Sequence, residues 1–223
     1  SVYVFTRSSV DLTFTQQSKL HASDAAVEDY FGVSVSLYGD TALIGAPGDG
    51  DNSQSVSGSV YIFTRSGVDD ATFTQQSKLH ANDAVPDDRF GWSVSLYADT
   101  ALIGAYKDDD NSKTDSGSVY VFKAPPPPPP SPPPSPPLPP PPLFLTSLVE
   151  YATQPKLYAS DAAASDLFGV SVSLYGDTAL IGATGDDDNS KTDSGSVYVF
   201  TRSSTDGGTF TQQSKLHASD AAV

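Results

Sequence analysis

One phrase occurs three times in this chain, and its recurrence limits the fold more than any other feature. Residues 31–63 read FGVSVSLYGDTALIGAPGDGDNSQSVSGSVYIF, residues 90–122 read FGWSVSLYADTALIGAYKDDDNSKTDSGSVYVF, and residues 168–200 read FGVSVSLYGDTALIGATGDDDNSKTDSGSVYVF. A second phrase, TFTQQSKLHA, stands at 13–22, 72–81 and 209–218, with a remnant, TQPKLYASD, at 153–161. Such self-similarity marks a repeat architecture, in which each unit buries its apolar face against the next. The pairs Phe31-Gly32, Phe90-Gly91 and Phe168-Gly169 are 59 and 78 residues apart, and the longer interval holds an insertion. Residues 1–27 resemble residues 196–223, so the chain starts and stops out of phase with its own units. That pattern, with no methionine at residue 1, is expected of a piece of a longer or processed repetitive protein.

Each unit reads as four strands. From Phe31 to Leu37 the large apolar residues fall on every second position, the period of a strand. Gly39-Asp40 makes a tight turn, and Thr41 to Ala46 is apolar on both faces, as in a strand buried on both sides. Pro47 to Gly58 is rich in Gly, Asp, Asn and Ser and reads as a loop. Ser59 to Phe63 is again apolar on both faces, while Phe73 to Leu79 is mostly polar and reads as an outer strand. A sheet with two apolar faces must be stacked between others, which is the logic of a propeller blade. No segment holds a 3.6-residue apolar period, which excludes coiled coils and α-solenoids. The expected fold is all-β: four-stranded antiparallel β-propeller-type blades, three complete and one a two-strand partial, interrupted by a polyproline II segment. The boundaries are a partial blade at 1–29 and blades at 30–89, 90–167 and 168–223, with the rod inserted at 124–142. The two strands missing from the first blade come from outside this segment, or the ring stays open with a raw edge.

These phrases resemble FG-GAP repeats, the blade unit of integrin-type β-propellers. The first unit has Phe31-Gly32 with Gly45-Ala46-Pro47, the second Phe90-Gly91 with Gly104-Ala105-Tyr106, and the third Phe168-Gly169 with Gly182-Ala183-Thr184. Only the first keeps the full Gly-Ala-Pro. The resemblance is closest to the shorter repeat variant of large secreted or surface proteins. Integrin-type blades often carry an Asp-rich calcium loop between their first two strands. Here that connection is only Gly39-Asp40, Ala98-Asp99 or Gly176-Asp177, so the family's calcium sites do not carry over.

Fifteen of the 18 prolines lie within residues 125–142, PPPPPPSPPPSPPLPPPP. Proline has no backbone donor, so neither helix nor sheet can hold this stretch, and polyproline II remains. At 3.1 Å per residue the rod would span about 56 Å. Flanking basic residues of the kind signalling ligands carry are scarce, with only Lys123 near, so the tract reads as a rod or spacer. It resembles the Ser-Pro modules of hydroxyproline-rich glycoproteins in plant and green-algal walls. That resemblance implies covalent O-glycans on hydroxylated Pro126, Pro127, Pro128, Pro129, Pro130, Pro132, Pro133, Pro134, Pro136, Pro137, Pro139, Pro140, Pro141 and Pro142, and on Ser131 and Ser135.

The remaining chemistry is sparse. Twelve basic against 27 acidic side chains give a net charge of −15, which argues against nucleic acid or an anionic membrane as partner. Cysteine is absent, so disulfides and thiolate metal sites are excluded. No apolar run approaches the roughly 20 residues of a membrane span. Calcium is the candidate cofactor, because closely spaced Asp and Asn can supply its hard oxygen ligands. The candidate ligands are Asp49, Asp51 and Asn52; Asp108, Asp110 and Asn111; and Asp186, Asp188 and Asn189. The plainer reading is a solvated hairpin loop, since Asp and Asn are good turn formers. His21, His80 and His217 occupy one repeat position, held by Tyr158 in the fourth copy, and so read as packing or surface residues. Trp92 stands where the other units have valine and reads as filling a wider gap in the core. No nucleophile-elbow sequence sits in a strand–turn–helix context, so no enzyme is expected. The function expected is an extracellular or cell-surface structural repeat protein, a subunit of a filament or fibre whose partners are copies of itself or related chains. The alternative is a calcium-dependent adhesion or carbohydrate-binding propeller with glycans as partners.

Overall fold

The computed structural model describes residues 1–50, 55–65, 72–109, 112–124, 152–153, 156–187, 191–203 and 208–218. These residues are strand, turn and loop, with no α-helix among them. The half blade pairs β1 (Val2–Arg7) with β2 (Phe14–Leu20). The first full blade runs β3 (Val35–Tyr38), β4 (Thr41–Ala46), β5 (Ser59–Arg65) and β6 (Phe73–Leu79). The second runs β7 (Ser93–Tyr97), β8 (Thr100–Ala105), β9 (Ser118–Lys123) and β10 (Ala152–Thr153). The third runs β11 (Phe168–Tyr175), β12 (Thr178–Ala183), β13 (Ser196–Arg202) and β14 (Phe210–Leu216). Every sheet is antiparallel in chain order, the all-β blade arrangement that the alternating pattern predicts.

The three intact outer hairpins share one irregularity: the register shifts between Val4 and Phe5, between Ile62 and Phe63, and between Val199 and Phe200. In the second full blade the outer strand β10 is only two residues long. There the remnant phrase keeps a single bridge, Leu157 to Val119, with hydrogen bonds of 2.7 and 2.9 Å. Each Phe of the Phe-Gly pair packs edge-on against its own blade's third strand, as in Phe90 on Tyr120 with ring centroids 5.3 Å apart. The Phe31–Tyr61 and Phe168–Tyr198 pairs repeat it at 5.5 and 5.4 Å. Trp92 lies half-buried against Tyr106, at 4.7 Å, rather than among the buried core residues.

The full blades stack through two junctions of the same construction. Strand β7 packs on β3 and β4, and β11 packs on β7 and β8. Leu43, Val60 and Ile62 meet Phe90, Ile103, Tyr120 and Phe122 at the first junction. Leu102, Val119 and Val121 meet Phe168, Ile181, Tyr198 and Phe200 at the second. Ser34 Oγ donates to the Gly91 carbonyl, and Ser93 Oγ to the Gly169 carbonyl, each at 2.7 Å. The amide of Leu96 donates to Ser36 Oγ, and that of Leu174 to Ser95 Oγ, each at 2.9 Å. Tyr38, Tyr97 and Tyr175 form a ladder with successive centroids 5.2 Å apart.

Glycine sets the spacing. A Cβ on Gly45 would fall 1.9 Å from the Gly91 carbonyl oxygen, and one on Gly104 2.0 Å from that of Gly169. At the same position in the last blade, a Cβ on Gly182 would approach within 3 Å only the Ser171 hydroxyl, which can rotate away. Gly104→Ala is therefore expected to destabilise the protein by about 2–3 kcal/mol through overpacking against backbone. Gly182→Ala is expected to cost less than about 0.5 kcal/mol. Thermal melts of the two variants side by side check this, and equal losses would refute the junction geometry.

Candidate functional site

The acidic loops after β4, β8 and β12 do not project freely into solvent. Asp49, Asp108 and Asp186 are buried, each the third residue past the end of its strand. Each first binds its own loop: the amide of Gly58 donates to the Asp49 carbonyl, Gly117 to Asp108 and Gly195 to Asp186, all at 2.9 Å. Each carboxylate then accepts from a serine at the start of the third strand. Ser59 Oγ reaches Asp49 at 2.6 Å, Ser118 Oγ reaches Asp108 at 2.5 Å and Ser196 Oγ reaches Asp186 at 2.6 Å.

A lysine completes each cluster. Lys78 Nζ lies 2.8 Å from both Asp49 and Asp24. Lys156 Nζ lies 2.9 Å from Asp108 and 2.8 Å from Asp83, and Lys215 Nζ 2.7 Å from Asp186 and 2.8 Å from Asp161. The hydroxyls of Tyr61, Tyr120 and Tyr198 donate to the outer aspartates at 2.8, 2.7 and 2.9 Å. Each ammonium also sits over its tyrosine ring, 5.2 to 5.4 Å from the centroid. The outer aspartate comes from the segment preceding the blade, so each cluster ties a loop, two strands and the incoming chain together.

Electrostatics follows from this packing. Burial alone would raise Asp24, Asp83 and Asp161, but hydrogen bonds from the lysine and tyrosine hold each below the ordinary carboxylate range. Burial works against the charge on Lys78, Lys156 and Lys215, yet their two aspartates hold them above the usual lysine value. Burial, with the neighbouring carboxylates, pushes Tyr61, Tyr120 and Tyr198 up, so they remain donors. Next to these clusters lies a second acidic series. Asp88, buried and accepting from the Val85 amide at 2.8 Å, is pushed up to about 7, chiefly by desolvation. Asp166 is raised for the same reason.

This arrangement locks loops, each loop carboxylate being held by a serine hydroxyl and an ammonium. Of the calcium candidates, Asp49, Asp108 and Asp186 already meet an ammonium, and among the described residues no three acidic or histidine side chains converge on a metal position. Asp51, Asn52, Asp110, Asn111, Asp188 and Asn189 lie outside the described residues, as does the whole proline tract. His21, His80, His217 and Tyr158 are exposed. Sequence reasoning missed the lysines. Their signal was the remnant phrase: where the proline insertion overwrote an outer strand, Lys156-Leu157 and Asp161 were kept.

A different surface is open. Between the half blade and β3 lies an apolar groove of about 320 Å³, lined by Val2, Val4, Leu20, Val35, Leu37 and Ile44 among others. It occupies the place where a blade's first two strands would lie.

A family model described as the FG-GAP repeat matches residues 14–63, 73–122 and 151–200. The first two matches begin in the outer strand of one sheet, the third takes in β10, and each ends in the third strand of the next sheet. No curated protein gives a significant match to the chain.

Three outcomes are expected. Lys156→Met, leaving Asp83 and Asp108 without their cation, should destabilise by about 2–3 kcal/mol, read in urea melts. Because the lysines supply the positive charge, a chelator should leave the melting temperature unchanged, whereas a drop would place calcium in the loops. A carboxyl raised in the folded state stabilises below its unfolded value, and that contribution is lost as pH rises through the folded value. Asp88→Asn should therefore flatten the fall in melting temperature between about pH 4 and pH 7. An unchanged slope would remove Asp88 as its source.

Proposed function

The chain belongs to the FG-GAP repeat family, and from that premise we propose that it is an extracellular structural protein, a subunit of a surface filament or matrix fibre in which a glycosylated polyproline rod links or decorates the blades. The observation that carries this reading is the repetition of one junction: serine to glycine carbonyl, leucine amide to serine, and tyrosine on tyrosine recur at both blade interfaces. A contact that can be reused along an axis suits assembly better than a single ligand site does. The clusters of lysine, tyrosine and aspartate support it too, since they consume the polar side chains that catalysis would need. The net charge of −15 keeps such units dispersed until specific contacts form.

The proline tract adds the second half of the proposal. In a polyproline II rod its carbonyls would have no backbone partners and would need water, sugar or a neighbouring chain. A coat of sugar on Ser131, Ser135 and the hydroxylated prolines would shield and stiffen it.

Two measurements decide the matter. Micrographs of the purified protein should show filaments; isolated discs would favour an adhesion or glycan-binding propeller instead. The mass of the peptide 124–156 from the native source should exceed that of its sequence by hydroxylation and sugar. An unmodified mass would leave a bare linker and remove the glycoprotein reading.

A further inference from the structure

The three long phrases act as controls for one another. Within residues 90–122 the second unit departs from a residue shared by the other two at Trp92, Ala98 and Lys107, and at Tyr106 all three units differ. Ala98 lies in the turn between β7 and β8. The other three gather at one corner. Trp92 immediately precedes β7, Tyr106 and Lys107 immediately follow β8, and the Trp92 and Tyr106 rings touch with centroids 4.7 Å apart. Where the sister units carry Val33 and Val170, Pro47 and Thr184, and Gly48 and Gly185, this unit carries two aromatic rings and a cation. Full blades flank it on both sides.

The lysine replaces a glycine whose space is taken in the sister units. A Cβ on Gly48 would fall 1.8 Å from the Glu28 carbonyl oxygen, and one on Gly185 2.0 Å from that of Ser165. Their amides donate to the carbonyls of Asp29 and Asp166 at 3.0 and 3.1 Å. Among the described residues the matching bond from the Lys107 amide to the Asp88 carbonyl is absent, so this corner goes without a backbone hydrogen bond that both sister blades keep. Lys107 Nζ reaches Asp87 at 2.8 Å, and Arg89 Nε reaches the other carboxylate oxygen at 2.7 Å. The Trp92 amide donates to the Arg89 carbonyl at 3.1 Å, which puts the ion triad and the indole on one turn. All five side chains are half-buried. Among the described residues the indole N–H and the Tyr106 hydroxyl meet no hydrogen-bond partner.

We propose that this corner of the second blade is a binding subsite for a neutral saccharide, whose C–H face lies on the Trp92 and Tyr106 rings while its hydroxyls engage Asp87, Arg89 and Lys107. The faces of aromatic rings carry partial negative charge and attract the weakly positive C–H groups of a sugar ring. A sugar hydroxyl both donates and accepts, and the row of guanidinium, carboxylate and ammonium offers it both kinds of partner. The two ion-pair bonds leave lone pairs on Asp87 for hydroxyl donors. An apolar patch with a few fixed polar groups at its edge is the usual make-up of a small-ligand site. Charge selects against an acidic ligand. Asp87 offsets one of the two cations, the field of Asp115 also acts on Lys107, and a chain of net charge −15 repels polyanions. The site goes beyond the structural role above and does not need filaments to form.

Trp92 is the chain's only tryptophan, so its emission reports on the site directly. The 223-residue chain is titrated with oligosaccharides of glucose, mannose, xylose and galactose, and at least one should shift the emission saturably. Trp92→Val, Tyr106→Thr and Lys107→Gly install residues that sister units already carry, so melting curves should match the parent's. Calorimetry, which does not need the indole, should show Trp92→Val and Tyr106→Thr each weakening the sugar by roughly tenfold or more. Lys107→Gly should weaken it as well. Emission that none of the four sugars shifts overturns the proposal, and so does an affinity that Trp92→Val and Tyr106→Thr leave intact. Preference for galacturonate oligomers over the neutral sugars overturns it too. A peptide of residues 125–142 that binds where no sugar does would make the corner a docking site for proline-rich chains instead.

Discussion

Everything in this stack depends on how closely one sheet's backbone approaches the next. At each junction a glycine on a second strand faces the carbonyl of a glycine in the following Phe-Gly pair, at a distance that no side chain could share. That approach lets a serine hydroxyl reach across and brings leucine, isoleucine and aromatic side chains of both sheets into one core. Interiors pack like organic crystals, so such a spacing is fixed within a few tenths of an ångström. The phrase repeats so faithfully because a surface that must serve as both floor and ceiling tolerates few substitutions.

The charged clusters solve a separate problem. The loops after the second strands are acidic, and each brings a carboxylate under the apolar third strand. A lysine threaded between two carboxylates and under a tyrosine ring gives each loop one fixed point. Pairs of this kind lose much of their attraction to desolvation. Their value here is placement: the aspartate from the incoming segment cannot be satisfied unless loop, strand and linker arrive together.

Much of the fold was legible because strand period, turn residues and repetition all pointed to the same blade. Val33, Val35 and Leu37 alternate with Ser34 and Ser36, and the serines are the side chains that cross the junction. The clusters were not legible, because their members are far apart in sequence. Asp24 and Lys78 are separated by 54 residues and meet only once the segment leading into β3 lies against the outer strand β6. Asp49 looked like part of a loop cluster with Asp51 and Asn52, yet its partner is a lysine on the outer strand. Trp92, expected in the core, instead lies half-buried just before β7, against Tyr106, the residue that follows β8.

The sequence unit and the sheet are out of step: each stretch of the repeat begins as the outer strand of one blade and finishes inside the next. Every linker is therefore a seam stitched across two layers. Tension applied along the chain should not peel one blade away as a module, because its outer edge belongs to the unit after it. Such a stack should resist shear as a laminate does and give way several layers at a time. The phase of the repeat is thereby a mechanical property as well as a topological one.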